Sequence, residues 1–506
     1  MAACETGPGL GEALGALADR GLLGKTRLHL LDAHEVVALL RNGAVTPLEL
    51  VDVVEARWAA TEPLVHATPI PCFERAREAA SVMSHPRVPP PGYLHGLPVL
   101  VKDAEAVADV RFTEGSPIHA DRVPERSSDL VLQLESKGAV VVGKTNVPDC
   151  QCWLATGSDL GGSLRTPAAF CGVVGFRPSP GVVIRSSGGR RSGPRRGLHA
   201  TNGPMGRCVR DVALLLDTMC GSSGWDFASP GPLGGTRWEE AAASSGAHGT
   251  PLRVAFSTLG CQVEPAVERL SRRAASALAR VGASEAAVDE IDGESVDFGR
   301  AWRAFCVLRG ESFAADFEET LRDPARRALL KPEIHWNAEI GRVPEAPAMV
   351  ASARDDLDAL CVEVEALFGR YDVLCTPATL DAAFDAGVRY PSEQLGQAFP
   401  DYLAWMRPAC VVSVMPCPAL VLPCGFLPDG RPVGLQLVGA PGADFAVLRA
   451  AAVLEAALAL PRACPEPRRG DAPLGTVGPR TAEEARAHHE GGVRRFVQRF
   501  RGAAAG

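Results

Sequence analysis

Thr156-Gly157-Ser158-Asp159-Leu160-Gly161-Gly162-Ser163-Leu164-Arg165-Thr166-Pro167-Ala168 sets two glycines directly before a serine. Glycine lets the backbone approach a ligand closely. Successive N–H groups in such a turn converge on an anion, including the oxyanion of an acyl-transfer reaction. Ser163 is then a candidate nucleophile, and a serine nucleophile needs a base. Some sixty residues upstream, Gly96-Leu97-Pro98-Val99-Leu100-Val101-Lys102-Asp103 places a lysine at the end of an apolar strand. Burial disfavours the ammonium form, which would fit Lys102 for the base. The plain alternatives are a Gly-Ser loop and an ion pair between Lys102 and Asp103 or another acid.

Working outward, strand-like and helical patterns alternate, which predicts an α/β fold. Asp32 caps an expected helix from Ala33 to Gly43, and Thr46-Pro47 opens a second running toward Ala59. Val99–Val101 and Ala139–Val142 read as strands, with a helix from Ser128 to Lys137 between them, closed by Gly138. Further strands are expected at Arg253–Phe256, Asp372–Cys375, Ala419–Leu422 and Val433–Val438, and helices at Pro265–Val281 and Ala443–Leu458. The uncharged run from Pro408 to Pro428 is long enough to span a bilayer, but Pro416, Pro418 and Pro423 interrupt it. It reads as two buried strands. No repeat period emerges. The polar stretch 466–506 reads as a tail with a short helix near Val493–Arg501.

Composition excludes several classes. The chain has 506 residues, 46% hydrophobic and 22% charged, which is ordinary for a globular protein. A net charge of −8 argues against a nucleic-acid binder. Fifteen cysteines, many in apolar runs such as Cys306, Cys361, Cys375 and Cys410, read as reduced thiols and so favour a reducing, cytoplasmic setting. Cys150 and Cys152 lack a second pair at zinc spacing, so neither metal nor cofactor is expected. The start of the chain carries no clean secretory signal. The Ser/Gly/Arg-rich stretch from Arg185 to Arg196 reads as a solvated loop, or less readily as an anion site.

Two familiar motifs fail on context. Gly138-Ala-Val-Val-Val-Gly143-Lys144-Thr145 fits the phosphate-loop pattern, yet its middle residues Ala139 to Val142 are themselves strand formers and Pro148 opposes a following helix. There is no Gly-x-Ser-x-Gly elbow and no His-Glu-x-x-His motif, and the 11 histidines are dispersed.

Taken together, Gly96–Asp103, Gly143–Asn146 and Gly157–Pro167 resemble the amidase signature family. The resemblance continues through Cys171–Pro178, Gly203–Met205 and Asp429–Gln436, and spans about Leu28 to Leu460 in the family order. It implies a single large α/β domain (residues 28–465, after an extension at 1–27), with a mixed β-sheet surrounded by helices. It implies hydrolysis of a carboxamide through a serine acyl-enzyme. Carried over, Lys102 is the base and Ser163 the nucleophile. The N–H groups of Leu160, Gly161, Gly162 and Ser163 form the oxyanion hole, and Asp159 and Arg165 support the loop.

The family also has a Gly-Gly-Ser-Ser-Gly-Gly segment that supplies a bridging serine between lysine and nucleophile. Only Val147 to Gly162 lie between Asn146 and Ser163 here, and no such segment fits; the chain jumps between Cys150 and Trp153, as a skipped segment would produce. Ser158, the one serine in that interval, matches the nucleophile loop. Loss of a positioned proton relay costs about 10²–10⁴ in rate, so a weak or inactive amidase is expected. Two alternatives stand beside it: a catalytically silent relative that binds a ligand or partner, and an amidotransferase A-type subunit. The expected partner is a small-molecule amide, with a homodimer as an open option. By position, Gly299–Thr320 and Tyr390–Met406 would shape the pocket, with Phe399 and Trp405 as its apolar lining.

Overall fold

The computed structural model describes residues 25–146, 152–184, 200–221, 238–243, 251–281, 287–291, 293, 295–461, 476–489 and 491–503. Cys150, the Arg185–Arg196 loop and most of the 1–27 extension lie outside the described residues, as does Val147–Gln151 on the way into the nucleophile loop.

One large sheet organises the chain. Its strands are β1 (Ile70–Pro71), β2 (Pro98–Lys102), β3 (Val140–Thr145), β4 (Leu154–Asp159), β5 (Val174–Arg177) and β6 (Thr201–Gly206). They continue with β7 (Val254–Phe256), β8 (Val288–Glu290), β9 (Val373–Pro377), β10 (Ala419–Phe426) and β11 (Pro432–Val438). Their spatial order is β1-β3-β2-β4-β6-β5-β10-β11-β9-β7-β8. The trio β3-β2-β4 is parallel, as is β9-β7-β8, while the centre from β4 through β6, β5, β10 and β11 to β9 is antiparallel. This is the single mixed-sheet α/β domain expected from the sequence. The antiparallel centre is as buried as the parallel flanks, because helices cover both faces, so its strands carry near-continuous apolar runs such as Ala419–Leu422.

Local chemistry sets the helix boundaries. Thr46 accepts from the Glu49 N–H while the Glu49 carboxylate accepts from the Thr46 N–H, a capping box that opens Pro47–Val65. That helix runs six residues past Ala59, accommodates Pro63 and ends at left-handed His66. Ser128 caps Asp129–Ser136, and Gly138 at φ +76° turns the chain into β3.

Two expectations are corrected. The run from Pro408 holds one helix, Arg407–Ser413, and one strand, β10, rather than two strands. Pro408 suits the first turn of a helix, and full burial of Val411 and Val412 outweighs their β preference. The polar C-terminal stretch contains two helices, Ala482–His489 and Gly492–Ala503. They pack Ala485, Phe496 and Val497 into a cluster with Trp336, Ile340 and Tyr402, so this part of the expected tail lies on the protein. The helix expected near Val493–Arg501 is Gly492–Ala503, whereas the helix Ala482–His489 was not expected. No helix among the described residues is long and apolar enough to cross a membrane.

The phosphate-loop pattern is, as expected, no loop. Val140–Thr145 is a fully buried strand, and Lys144 is inaccessible.

Candidate active site

The two singled-out segments meet at the carboxyl edge of neighbouring parallel strands. Lys102 ends β2, and β4 runs beside it in the register Val99 to Leu154 and Leu100 to Ala155. Ligands of α/β sheets gather at such carboxyl ends. Lys102 Nζ donates to the Ser158 hydroxyl at 3.0 Å and to the Ser158 carbonyl at 3.2 Å. The acid beside it in sequence is engaged elsewhere. Asp103 pairs with Lys144 at 2.5 Å and accepts from Thr113, so the simple Lys102–Asp103 ion pair does not form. Burial pushes the Lys102 amine below its usual range, and the charges of Asp159 and Glu105 pull in the other direction. Glu105 is itself buried and accepts from Asn202, which lies opposite Ser158 on β6.

After β4 the chain turns through Leu160–Ser163 into the helix Arg165–Cys171. The turn hangs on Asp159. Its carboxylate accepts from the N–H groups of Gly162 (2.8 Å) and Leu164 (3.2 Å), and from Arg165 Nε (2.9 Å) and a terminal nitrogen (3.0 Å). Arg165 also reaches Gln436 and Ser413, each at 2.6 Å. Asp159 and Arg165 are fully buried, with Arg177 3.7 Å from the same carboxylate. Burial alone would raise the Asp159 pKa, but Arg165, Arg177 and the Gly162 N–H outweigh it and hold the carboxyl at about 2.

One of the four expected oxyanion donors is thereby committed: the Gly162 N–H belongs to Asp159. Among the described residues, those of Leu160, Gly161 and Ser163 have no acceptor. Close packing explains the glycines. A Cβ on Gly161 would lie 3.0 Å from the Phe305 ring. One on Gly162, at φ +108°, would lie 2.5 Å from the Ala409 Cβ. Ser163 is exposed at the crest of the turn, and its hydroxyl bonds no other described residue.

Seven residues beyond Ser163, on the helix that follows it, Phe170 is stacked on Trp405 (centroids 6.3 Å, planes 11° apart) and edge-on to Phe384. These rings line a cavity of about 220 Å³ with Phe399, Leu380 and Arg431. Phe399 and Trp405 thus share a cavity wall. Phe305, from the Gly299–Thr320 region, instead lies beneath Gly161. Sequence reading did not find Ser413 and Gln436, which are 248 and 271 residues from Arg165, nor Ser158 as the partner of Lys102. Only the last had a nearby signal, as a hydroxyl one residue before the loop-forming Asp159.

Fold and site together define an α/β protein with a lysine and a serine loop gathered at one edge of a mixed sheet. The chain belongs to the amidase signature family. The sequence model described as Amidase matches residues 49–156 and 149–448. The two stretches overlap at 149–156, around the jump inferred between Cys150 and Trp153. The A-type subunit of the glutamyl-tRNA(Gln) amidotransferase of Moorella thermoacetica is 29% identical, over 87% of this chain and 99% of that protein. An acylamidase of Rhodococcus erythropolis is also 29% identical, over 85% and 96%. Among solved structures, a bacterial aryl acylamidase superposes with a TM-score of 0.73 at 22% identity, over 84% of this chain and 96% of that one. A 6-aminohexanoate cyclic dimer hydrolase gives 0.73 at 22%, over 85% and 98%. These two likenesses bear on the fold.

Proposed function

We propose that this chain hydrolyses a small-molecule carboxamide through an acyl-enzyme on Ser163. The observation that carries the reading is the state of Lys102: a half-buried lysine hydrogen-bonded to no carboxylate, held by a hydroxyl and a carbonyl of Ser158 on the strand that launches the serine loop. The neutral amine takes the Ser163 proton as Oγ bonds to the carbonyl carbon. The oxyanion faces the N–H groups of Leu160, Gly161 and Ser163. Collapse breaks the C–N bond, the ammonium returns the proton to the leaving amine, and water repeats the sequence to free the acid. Asp159 and Arg165 hold the loop without touching the substrate. The aromatic cavity beside Phe170 suits an apolar or aryl group on the amide. The chemistry uses no metal or cofactor and fits a cytoplasmic enzyme whose working unit begins near residue 28.

A fluorophosphonate probe tests this without knowledge of the substrate. The expected result is an adduct on Ser163, located by peptide mass, that is lost in Ser163→Ala and Lys102→Ala. Absence of an adduct in a folded sample would turn the reading toward a binding protein. The similarity to an amidotransferase component makes glutamine the first amide to assay after acylated anilines. Ammonia release from glutamine alone would favour the amidotransferase alternative.

A further inference from the structure

Lys102 and Ser163 do not hydrogen-bond to each other. Both acceptors that Lys102 Nζ finds belong to Ser158. We propose that Ser158 stands in for the missing bridging serine: its Oγ is the hydroxyl through which Ser163 and Lys102 exchange a proton. The proposal rests on the amide-hydrolysis reading above and deepens it.

Three observations carry it. Ser158 is half-buried and shares its side of the β4–β6 pair with Asn202, whose amide holds Glu105. It therefore sits in a polar pocket, not in the apolar core. Second, the turn between the two serines is tight. Asp159 draws Gly162 and Leu164 back toward itself, and the Leu164 side chain closes on Gly157, where a Cβ would stand 2.6 Å from it. The chain thus leaves β4 at Asp159 and is held in a tight turn, with only four residues between Ser158 and Ser163. Third, the Ser163 hydroxyl is exposed and bonded to no other described residue, so its χ1 can turn toward Ser158 when substrate closes the site.

The step balances. The Ser163 proton moves to Ser158 Oγ as the Ser158 proton moves to the neutral Lys102 amine, and the Ser163 Oγ–carbonyl bond forms. On collapse the two protons travel back and the leaving amine receives one. Ser158 is unchanged at the end of each half-reaction.

Two measurements on the full chain test it, both reading the rate of fluorophosphonate labelling at Ser163. In mixtures of H₂O and D₂O, a two-proton relay bends the rate against the deuterium fraction, whereas direct transfer to Lys102 gives a straight line. Ser158→Ala should slow labelling by about 10²–10⁴ and straighten the plot, while Ser158→Thr, which keeps a hydroxyl, should restore most of the rate and the curvature. A residue that merely positions Lys102 would leave the wild-type plot straight. A straight wild-type plot, labelling of Ser158 itself, or an unchanged rate in Ser158→Ala overturns the relay alone. A folded wild-type chain that takes no adduct overturns the amide-hydrolysis reading, and the relay with it. The wild-type plot decides the matter even if Ser158→Ala fails to fold.

Discussion

Lys102 ends β2 and Lys144 is the last residue but one of its parallel neighbour β3, one step apart in register, Lys102 facing Thr145 and Lys144 facing Val101. Burial lowers the pKa of both, yet their surroundings differ in kind. Lys144 is wholly inaccessible, bound to the Asp103 carboxylate and the Arg111 carbonyl, with its ammonium 4.4 Å from the Phe112 ring centre. Lys102 has a hydroxyl and a carbonyl. A carboxylate partner keeps an amine charged and makes it structural. A hydroxyl partner leaves the proton free to move. The motif Gly143-Lys144-Thr145 is the louder sequence signal, but the quieter Lys102 is the one proposed as the base.

The sharpest way to break this comparison is to remove each amine in turn. Lys102→Met should cut phosphonylation of Ser163 by about 10²–10⁴ while leaving the unfolding free energy within about 1 kcal/mol of wild type. Paired rate and urea-unfolding measurements would check both halves. Next in size is the loop anchor. Asp159→Asn leaves Arg165 buried without the carboxylate it pairs with and should cost about 3–5 kcal/mol in the same unfolding assay. Lys144→Met should cost less, about 2–3 kcal/mol, because Thr113 still bonds Asp103. Its labelling rate per folded molecule should stay within about twofold; a large loss there would erase the distinction between the two lysines.

Gly162→Ala meets both a left-handed φ and the Ala409 methyl, so about 1–3 kcal/mol of stability should go. The pH profile is the finest probe. Lys102 must be neutral to act, so labelling should rise with pH by up to about tenfold per unit and level off below the ordinary lysine value of 10.5. Because the folded chain binds that proton less tightly than the unfolded chain, the same group adds stability as pH rises through that window. Asp159 acts at the other end: its contribution is present above the ordinary 3.8 and is lost as pH falls through about 2.

The legible part of the molecule was the part with local causes. Apolar runs bounded by caps and turns gave β2, β7 and β11 to within a residue and the start of β3, and Gly161-Gly162-Ser163 declared a tight turn with exposed donors. What escaped depended on distant partners. Nothing near Pro408 says that a helix there will lie against Gly161 and Gly162. Nothing near Arg165 names Gln436. Asp103 sits next to Lys102 in sequence, yet successive strand residues face opposite sides, which sends the carboxylate to Lys144 on the next strand. The Gly162 N–H looked like an oxyanion donor because a sequence cannot show which way a peptide points.

The pairing of β5 with β10 joins Ala419 to Arg177, and that of β11 with β9 brings Gln436 under the serine loop. Contacts of such long sequence separation close late, since loop-closure entropy is lost before they contribute. The order of folding then places the loop last. A nascent or proteolytically nicked chain has every residue of the Thr156–Ala168 segment but no Ser413 or Gln436 to hold Arg165. The turn that carries Ser163 therefore has its full set of anchors only once the far third of the sheet has zipped against the near third.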